Sequence, residues 1–149
     1  MPEKSSFFPD CFHRVTIKGL CVRDGKVLLI QESNKKWEMP GGGLDFGEDI
    51  KTALRREVEE EMKLKIVKIS DKPVYVWTHR YPPNSRNIGW YYSLVLAYQI
   101  EFENLDFTSC DECEALEFFT KDQLRDLKYA GQTAELINIF NPKDFEGEF

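Results

Sequence analysis

Three glutamates stand at helical spacing near the middle of this 149-residue sequence. Glu57, Glu60 and Glu61 occupy positions i, i+3 and i+4, which lie on one face of a helix. Like charges at these spacings repel one another, and a cation bound between them would reverse that effect. Carboxylate oxygens suit Mg²⁺ or Mn²⁺ better than a soft metal. A divalent ion held in this way is the usual apparatus of phosphoryl chemistry.

A helix running from about Glu48 to Met62 is predicted to carry these acids. At 3.6 residues per turn, Ile50, Leu54 and Val58 form its apolar stripe. On the helical wheel Glu61 lies roughly 20° from Leu54, so its side chain points toward the predicted core. An acidic helix is ordinarily a solvated face. Because an unpaired buried carboxylate is costly, the placement of Glu61 favours a ligand site over that alternative.

The residues before the helix fit a site as well. Pro40 and the glycines Gly41, Gly42 and Gly43 predict a turn rich in positive-φ conformations, where the backbone can approach a ligand closely. Arg56, next to the first glutamate of the cluster, is expected to hold acidic side chains in place, because a guanidinium group forks onto carboxylates.

The stretch from Gly42 to Leu64 resembles the Nudix box, G-x5-E-x7-R-E-U-x-E-E-x-G-U, in which U is a bulky apolar residue. All charged positions of the box match, namely Glu48, Arg56, Glu57, Glu60 and Glu61. Lys63 stands where the family carries a glycine, at the turn that leaves the helix. The exit is therefore expected either to place this lysine in the αL conformation or to have a different shape.

The resemblance implies a metal-dependent hydrolase that cleaves the pyrophosphate bond of a nucleoside diphosphate linked to another moiety. It implies metal ligation by Glu57, Glu60 and Glu61, with Mg²⁺ or Mn²⁺ as the cofactor. Glu48 and Arg56 would support the loop and orient these acids. The general base remains open between a box glutamate and a glutamate on a distant loop. Nucleotide sugars, dinucleoside polyphosphates, oxidised and other nucleoside triphosphates, ADP-ribose and capped RNA ends remain open as substrates.

Two alternatives to an enzyme follow from the same residues. The first is a non-catalytic Nudix-fold module that binds or senses a nucleotide. The retained acids argue against it, since such modules commonly lose box acids. The second is a structural protein whose acidic helix pairs with basic residues elsewhere in the chain.

Signals outside the box are weaker. Glu114, just before the predicted strand Leu116–Phe119, is the candidate for a further catalytic or metal-binding glutamate, and Glu112 is the alternative candidate. Trp37 is a candidate substrate residue that would stack on a base, with core packing as the alternative. Arg86, in a loop rich in aromatic residues, is a candidate phosphate ligand, with a solvated charge as the alternative. The glycines Gly41, Gly42 and Gly43 are candidate substrate contacts.

Cys110 and Cys113 form a C-x-x-C pair, a spacing found in zinc and redox sites. Neither Cys11 nor Cys21 supplies the second pair that a four-ligand zinc site needs. Reduced thiols without a metal are therefore expected.

The composition is typical of a globular enzyme, with 42% hydrophobic and 31% charged residues. A formal charge of −6 argues against tight binding of long nucleic acid and only mildly against capped RNA as a substrate. A small phosphorylated nucleotide remains the expected partner, and the protein is expected to be a monomer or a homodimer. The sequence has no apolar run of about 18 residues and no apolar core of a signal peptide near its start, so we expect a cytoplasmic protein.

Strands come first and are mixed with a few helices along one predicted domain covering residues 1–149. Arg23 to Lys26 are expected to form a hairpin turn. The predicted strands are Arg14–Val22, Val27–Glu32, Lys65–Ser70, Pro73–His79, Trp90–Glu101 and Leu116–Phe119. Helices are predicted, besides the acidic one, at Lys121–Leu127 and Thr133–Phe140. The pattern indicates an α+β fold, and the resemblance implies a Nudix-like α/β/α sandwich with a mixed sheet between helices.

Overall fold

The computed structural model describes residues 13–83, 91–129 and 131–149. Nine strands are present in this part of the chain: β1 His13–Leu20, β2 Val22–Arg23, β3 Lys26–Gln31, β4 Trp37–Glu38, β5 Gly41–Gly43, β6 Ile66–Ile69, β7 Tyr75–Tyr81, β8 Tyr91–Phe102 and β9 Ala115–Phe119. The helices of the same residues are α1 Ile50–Met62, α2 Lys121–Leu124 and α3 Leu136–Ile139. Two 3₁₀ helices cover Gly131–Glu135 and Pro142–Phe145.

The larger sheet is mixed and is built around β8. This strand runs parallel to β1 over eight residue pairs, from His13 opposite Tyr92 to Leu20 opposite Gln99. It runs antiparallel to β7 and to β6, while β5 lies antiparallel on the other edge of β1. In the second sheet, β3 pairs antiparallel with β2, β4 and β9. The β2–β3 turn has positive φ at Asp24 and Gly25, as a tight hairpin turn requires.

Two apolar clusters separate the sheets from the helices. Along β3, Leu28 and Ile30 face the cluster under α1, whereas Val27 and Leu29 face the cluster under α2 and α3. A strand whose two faces are both buried needs a layer on each side. The predicted α/β/α arrangement and the α+β class are therefore confirmed.

Helix α1 is shaped by its two ends. Asp49 is the N-cap, and its side chain accepts the backbone N–H of Thr52 at 3.1 Å. Lys63 ends the helix in the αL conformation with φ 58°, and its N–H donates to Glu59 O. The αL exit, one of the two expected geometries, is thus kept without the glycine. The predicted stripe faces the core, since Leu54 and Val58 are fully buried.

The predicted strand Arg14–Val22 divides at Cys21 into β1 and β2, and three further elements differ from the prediction. The glycines form strand β5 and not a turn, and only Gly41 among them has a positive φ, at 125°. A Cβ at Gly41 would lie 2.2 Å from Ile17 O, so the close approach to β1 requires glycine there. Helix α2 ends at Leu124, where Tyr129 Oη donates to the Leu124 carbonyl. The helix expected over 133–140 divides into a 3₁₀ helix and the short α3.

Within the described ranges, no helix has both the length and the apolar character needed to cross a membrane.

Candidate active site

The structure brings the three glutamates of the box to one acidic cavity. Glu57, Glu60 and Glu61 project from α1 into a space of about 600 Å³. The remaining lining residues come from the loop after β3 and from the turn before β9: Glu32, Ser33, Asp111 and Glu112. Because all charged groups lining this space are acids, the cavity attracts cations.

Arg56 holds the carboxylates at one side of this cavity. Its Nε and Nη2 donate to the two oxygens of Glu48, at 2.8 and 2.7 Å, in a bidentate pair. Its Nη1 donates to Glu57 Oε1 at 3.0 Å and lies 3.4 Å from Glu60 Oε2. The hydrogen bonds from Arg56 lower the pKa of Glu48 and keep that carboxylate charged. Arg56 therefore connects Glu48, in the loop before α1, with two of the three glutamates.

Strand β5 lies next to two of the glutamates of α1. Gly41 N–H donates to Glu61 Oε1 at 3.0 Å. A Cβ at Gly42 would lie 2.4 Å from Glu57 Oε2, and a Cβ at Gly43 would lie 2.1 Å from Arg14 Nη2. The missing side chains leave the space that these charged groups occupy.

Two more acids approach Glu61 from the second sheet. Oxygens of Glu32, Glu38 and Glu61 lie within 4.8 Å of one another. Burial raises the pKa of Glu38 to about 8; Lys18 opposes this effect, and a hydrogen bond with Glu32 adds to it. Burial likewise raises the pKa of Glu61 to about 7, opposed first by Lys18 and then by the Gly41 N–H. Desolvated acids in contact are groups that a bound cation would stabilise.

Lys18 lies on β1, opposite Gly41 of β5, and is 4% exposed. Its ammonium group donates to Met39 O at 3.1 Å and to Gly41 O at 2.9 Å. The motif assigns no role to Lys18, Glu32 or Glu38. The one available signal for Lys18 is a charged residue in the central part of the predicted strand Arg14–Val22, and the signal for Glu38 is its position just before the Met39–Gly43 segment.

The candidates outside the box have different positions in the structure. Glu114 is ion-paired with Lys35 and does not line the cavity, whereas Glu112 does. Trp37 packs edge-on against Phe119, with ring centroids 4.9 Å apart, which matches the packing alternative. Arg86 lies outside the described residues.

The C-x-x-C pair forms a tight turn. Cys110 and Cys113 exchange both backbone hydrogen bonds, at 2.9 and 3.1 Å, and both thiols are free. Burial raises the pKa of Cys113 to about 12, with the charge of Glu61 adding to it, so this thiol stays protonated. In the described part of the chain, the group of three close metal-ligand side chains contains no cysteine.

The residues present fit a hard divalent cation. Glu57, Glu60 and Glu61 line the cavity with carboxylate oxygens, and Glu61 also forms a close group with Glu32 and Glu38. Mg²⁺ and Mn²⁺ prefer such oxygens over nitrogen or sulfur. Arg56 and the Gly41 N–H hold these acids from outside, as the second layer of a metal site does.

Fold and site together define a class of protein: an α/β/α sandwich with a glycine strand and a glutamate-rich helix around one acidic cavity. A model of the NUDIX domain matches residues 13–138. The chain therefore belongs to the NUDIX domain family. This family generally uses divalent metal ions, in agreement with the acidic cluster.

Curated relatives are similar over part of their length. An RNA pyrophosphohydrolase from Pelagibacter ubique is 38% identical over 71 residues, which make up 46% of this chain and 45% of that protein. A MutT-like protein from Streptomyces ambofaciens is 41% identical over 67 residues, or 44% of this chain and 42% of that protein. The chain thus matches less than half the length of these two relatives.

Solved structures match over most of the fold. A MutT NUDIX hydrolase from Burkholderia pseudomallei superposes with a TM-score of 0.69 at 25% identity, covering 87% of this chain and 98% of that one. An ADP-ribose pyrophosphatase from Streptococcus suis gives a TM-score of 0.64 at 22% identity, covering 91% of this chain and 94% of that one. The second likeness is one of fold alone.

Proposed function

We propose that the protein is a hydrolase dependent on Mg²⁺ or Mn²⁺ that cleaves the pyrophosphate bond of a nucleoside diphosphate linked to another moiety. Glu57, Glu60 and Glu61 line one cavity and are all retained, and this observation carries the proposal. A metal ion bound there would offset the negative charge of the pyrophosphate oxygens and thereby favour attack of water on a phosphorus atom, with the other phosphate as the leaving group.

The residues of the chain have separate tasks in this proposal. Glu57, Glu60 and Glu61 hold the metal ion. Arg56 and Glu48 keep the first of these carboxylates in place through the bidentate pair and the 3.0 Å bond to Glu57. The cavity supplies no fixed cation of its own among its lining residues, so an anionic substrate would depend on the bound metal for attraction.

The proposal is tested by assaying hydrolysis of a broad panel of substrates. The panel is broad because the relatives carry names as different as RNA pyrophosphohydrolase and ADP-ribose pyrophosphatase. Nucleotide sugars, dinucleoside polyphosphates, ADP-ribose, nucleoside triphosphates and RNA with a 5′-triphosphate end are each incubated with Mg²⁺ or Mn²⁺. Phosphate release is measured after a coupled phosphatase, or after a coupled pyrophosphatase for the triphosphates. Each reaction is compared with the same reaction lacking the protein.

Two variants of α1 make the test specific. Glu61→Gln removes a carboxylate of the cavity, and Glu59→Gln removes one from the solvated face of the same helix. Cleavage of one substrate class by the parent and by Glu59→Gln, but not by Glu61→Gln, is the expected result. Metal and nucleotide binding without any cleavage would instead point to the non-catalytic sensor module.

A further inference from the structure

The segment between β4 and β5 is held by a buried cation. Lys18 Nζ binds the carbonyl oxygens of Met39 and Gly41, at 3.1 and 2.9 Å. The carbonyl between them, that of Pro40, accepts the backbone N–H of Gly19 at 2.9 Å. Two adjacent residues of β1 therefore hold three successive carbonyls of this segment.

These contacts fix the peptide group that touches a box glutamate. The Pro40–Gly41 peptide carries the N–H that donates to Glu61 Oε1 at 3.0 Å. Its own oxygen is held by Gly19, and Lys18 holds the carbonyls on either side of it. Rotation of this peptide would break bonds on both sides, so the N–H stays directed at Glu61.

The choice of a lysine here needs an explanation beyond hydrogen bonding. Burying an ammonium group is costly unless opposite charges offset the loss of water. The positive charge of Lys18 acts on both Glu38 and Glu61, and in each case it is the largest effect that favours the carboxylate. The charged ammonium group therefore serves both the two carbonyl oxygens that it binds and the two carboxylates that it faces.

We propose that Lys18 is a positioning residue of the metal site: it fixes the Met39–Gly41 backbone and thereby orients the carboxylate of Glu61 for the cation. This inference rests on the proposed function, because it assigns Glu61 to metal binding. It predicts a defect in metal affinity and turnover when Lys18 is changed, even where the fold is intact.

The test compares the parent with Lys18→Met and Lys18→Arg, with folding checked by circular dichroism. Methionine keeps an unbranched side chain but has neither charge nor donors, whereas arginine keeps both. Mn²⁺ affinity is measured by calorimetry without nucleotide, and the Gly41 amide proton is followed by NMR. For Lys18→Met we expect Kd for Mn²⁺ to rise about tenfold, as for lost second-layer partners. The Gly41 amide shift should change, and kcat should fall more than KM changes. Lys18→Arg should recover part of the affinity.

Thr16→Val is the matched control from the same strand. Thr16 is buried, and its hydroxyl pairs with Ser93 Oγ at 2.7 Å without touching the Met39–Gly41 segment. This variant loses a buried hydrogen bond and should keep the parent's Mn²⁺ affinity. A general effect of core damage would lower the affinity of both variants.

The outcomes separate the two proposals. A parent protein that binds no Mn²⁺ would count against the proposed function itself. A folded Lys18→Met with the parent's Mn²⁺ affinity and Gly41 shift would overturn the role of Lys18 alone. Should Lys18→Met fail to fold, Lys18→Gln replaces it, because its neutral amide is too short to reach both carbonyls. Parent-like affinity in that variant overturns the inference, and a tenfold loss supports it.

Discussion

Replacing Glu61 with glutamine is expected to stabilise the metal-free protein while abolishing its stabilisation by metal. Burial raises the pKa of Glu61 from an ordinary 4.5 to about 7, so the folded protein retains a proton that the unfolded chain releases. Stability therefore falls as pH rises from about 4.5 to about 7, and the full cost is present above pH 7. Glutamine carries no charge and escapes this cost.

The size of the effect follows from the same values. Raising a pKa from 4.5 to about 7 corresponds to about 3 kcal/mol, which is the upper limit for the gain. Local relaxation of the folded protein reduces this value, so we expect Glu61→Gln to gain about 1–3 kcal/mol in the free energy of unfolding. For a chain of this length that is a rise in Tm of about 2–10 °C. Metal at a hundredfold excess over Kd would stabilise the parent by about 2.7 kcal/mol.

Thermal unfolding with a chelator and with Mn²⁺, between pH 5 and pH 8.5, measures both effects. Without metal, the Tm of Glu61→Gln should exceed that of the parent at pH 8, and the difference should shrink toward pH 5. With Mn²⁺, only the parent should gain stability. Glu59→Gln, on the exposed face of α1, should follow the parent throughout. A Glu61→Gln variant with the parent's Tm at every pH would refute the desolvated placement of this carboxylate.

Three further substitutions test the site and the helix end. Arg56→Lys keeps the charge but loses the bidentate hydrogen bonds to Glu48. Steady-state kinetics should show kcat/KM reduced by about 10–100-fold. Activity within twofold of the parent would contradict the role of this pair. Gly42→Ala places a Cβ 2.4 Å from Glu57 Oε2, which displaces that carboxylate. Calorimetry should therefore show that the affinity for Mn²⁺ is weakened by about tenfold. An unchanged Kd for Mn²⁺ would mean that the carboxylate is free to move aside. Lys63→Gly removes the strain of a non-glycine residue in the αL conformation and should raise Tm by about 2–4 °C in thermal unfolding. A lower Tm would show that the lysine side chain stabilises the protein by more than its αL backbone destabilises it.

The parts of the fold that follow from short-range patterns were predictable from the sequence. The stripe of α1 and the position of Glu61 beside it depend only on helical periodicity, and both agree with the structure. The hairpin turn at Asp24 and Gly25 follows from turn chemistry in the same way. Such features are local, so the residues that specify them are neighbours in sequence.

The features that were missed depend on contacts between distant segments. Strand β5 exists because β1 supplies its hydrogen bonds, and a glycine-rich stretch carries no strand signal of its own. The role of Lys18 depends on the same pairing, which places it opposite Gly41. In the sequence, Lys18 is one charged residue in a strand, and nothing near it indicates which carbonyls it contacts.

The glycines of β5 connect these observations. Because Gly42 and Gly43 lack side chains, the carboxylate of Glu57 and the guanidinium of Arg14 lie directly on the strand. Pairing with β1 holds that strand rigid, and Lys18 holds the segment leading into it. The glycine strand and the box glutamates are thus two halves of one site, since Gly42 leaves room for the carboxylate of Glu57 and the N–H of Gly41 holds that of Glu61. A change on either half should therefore weaken metal binding without unfolding the protein.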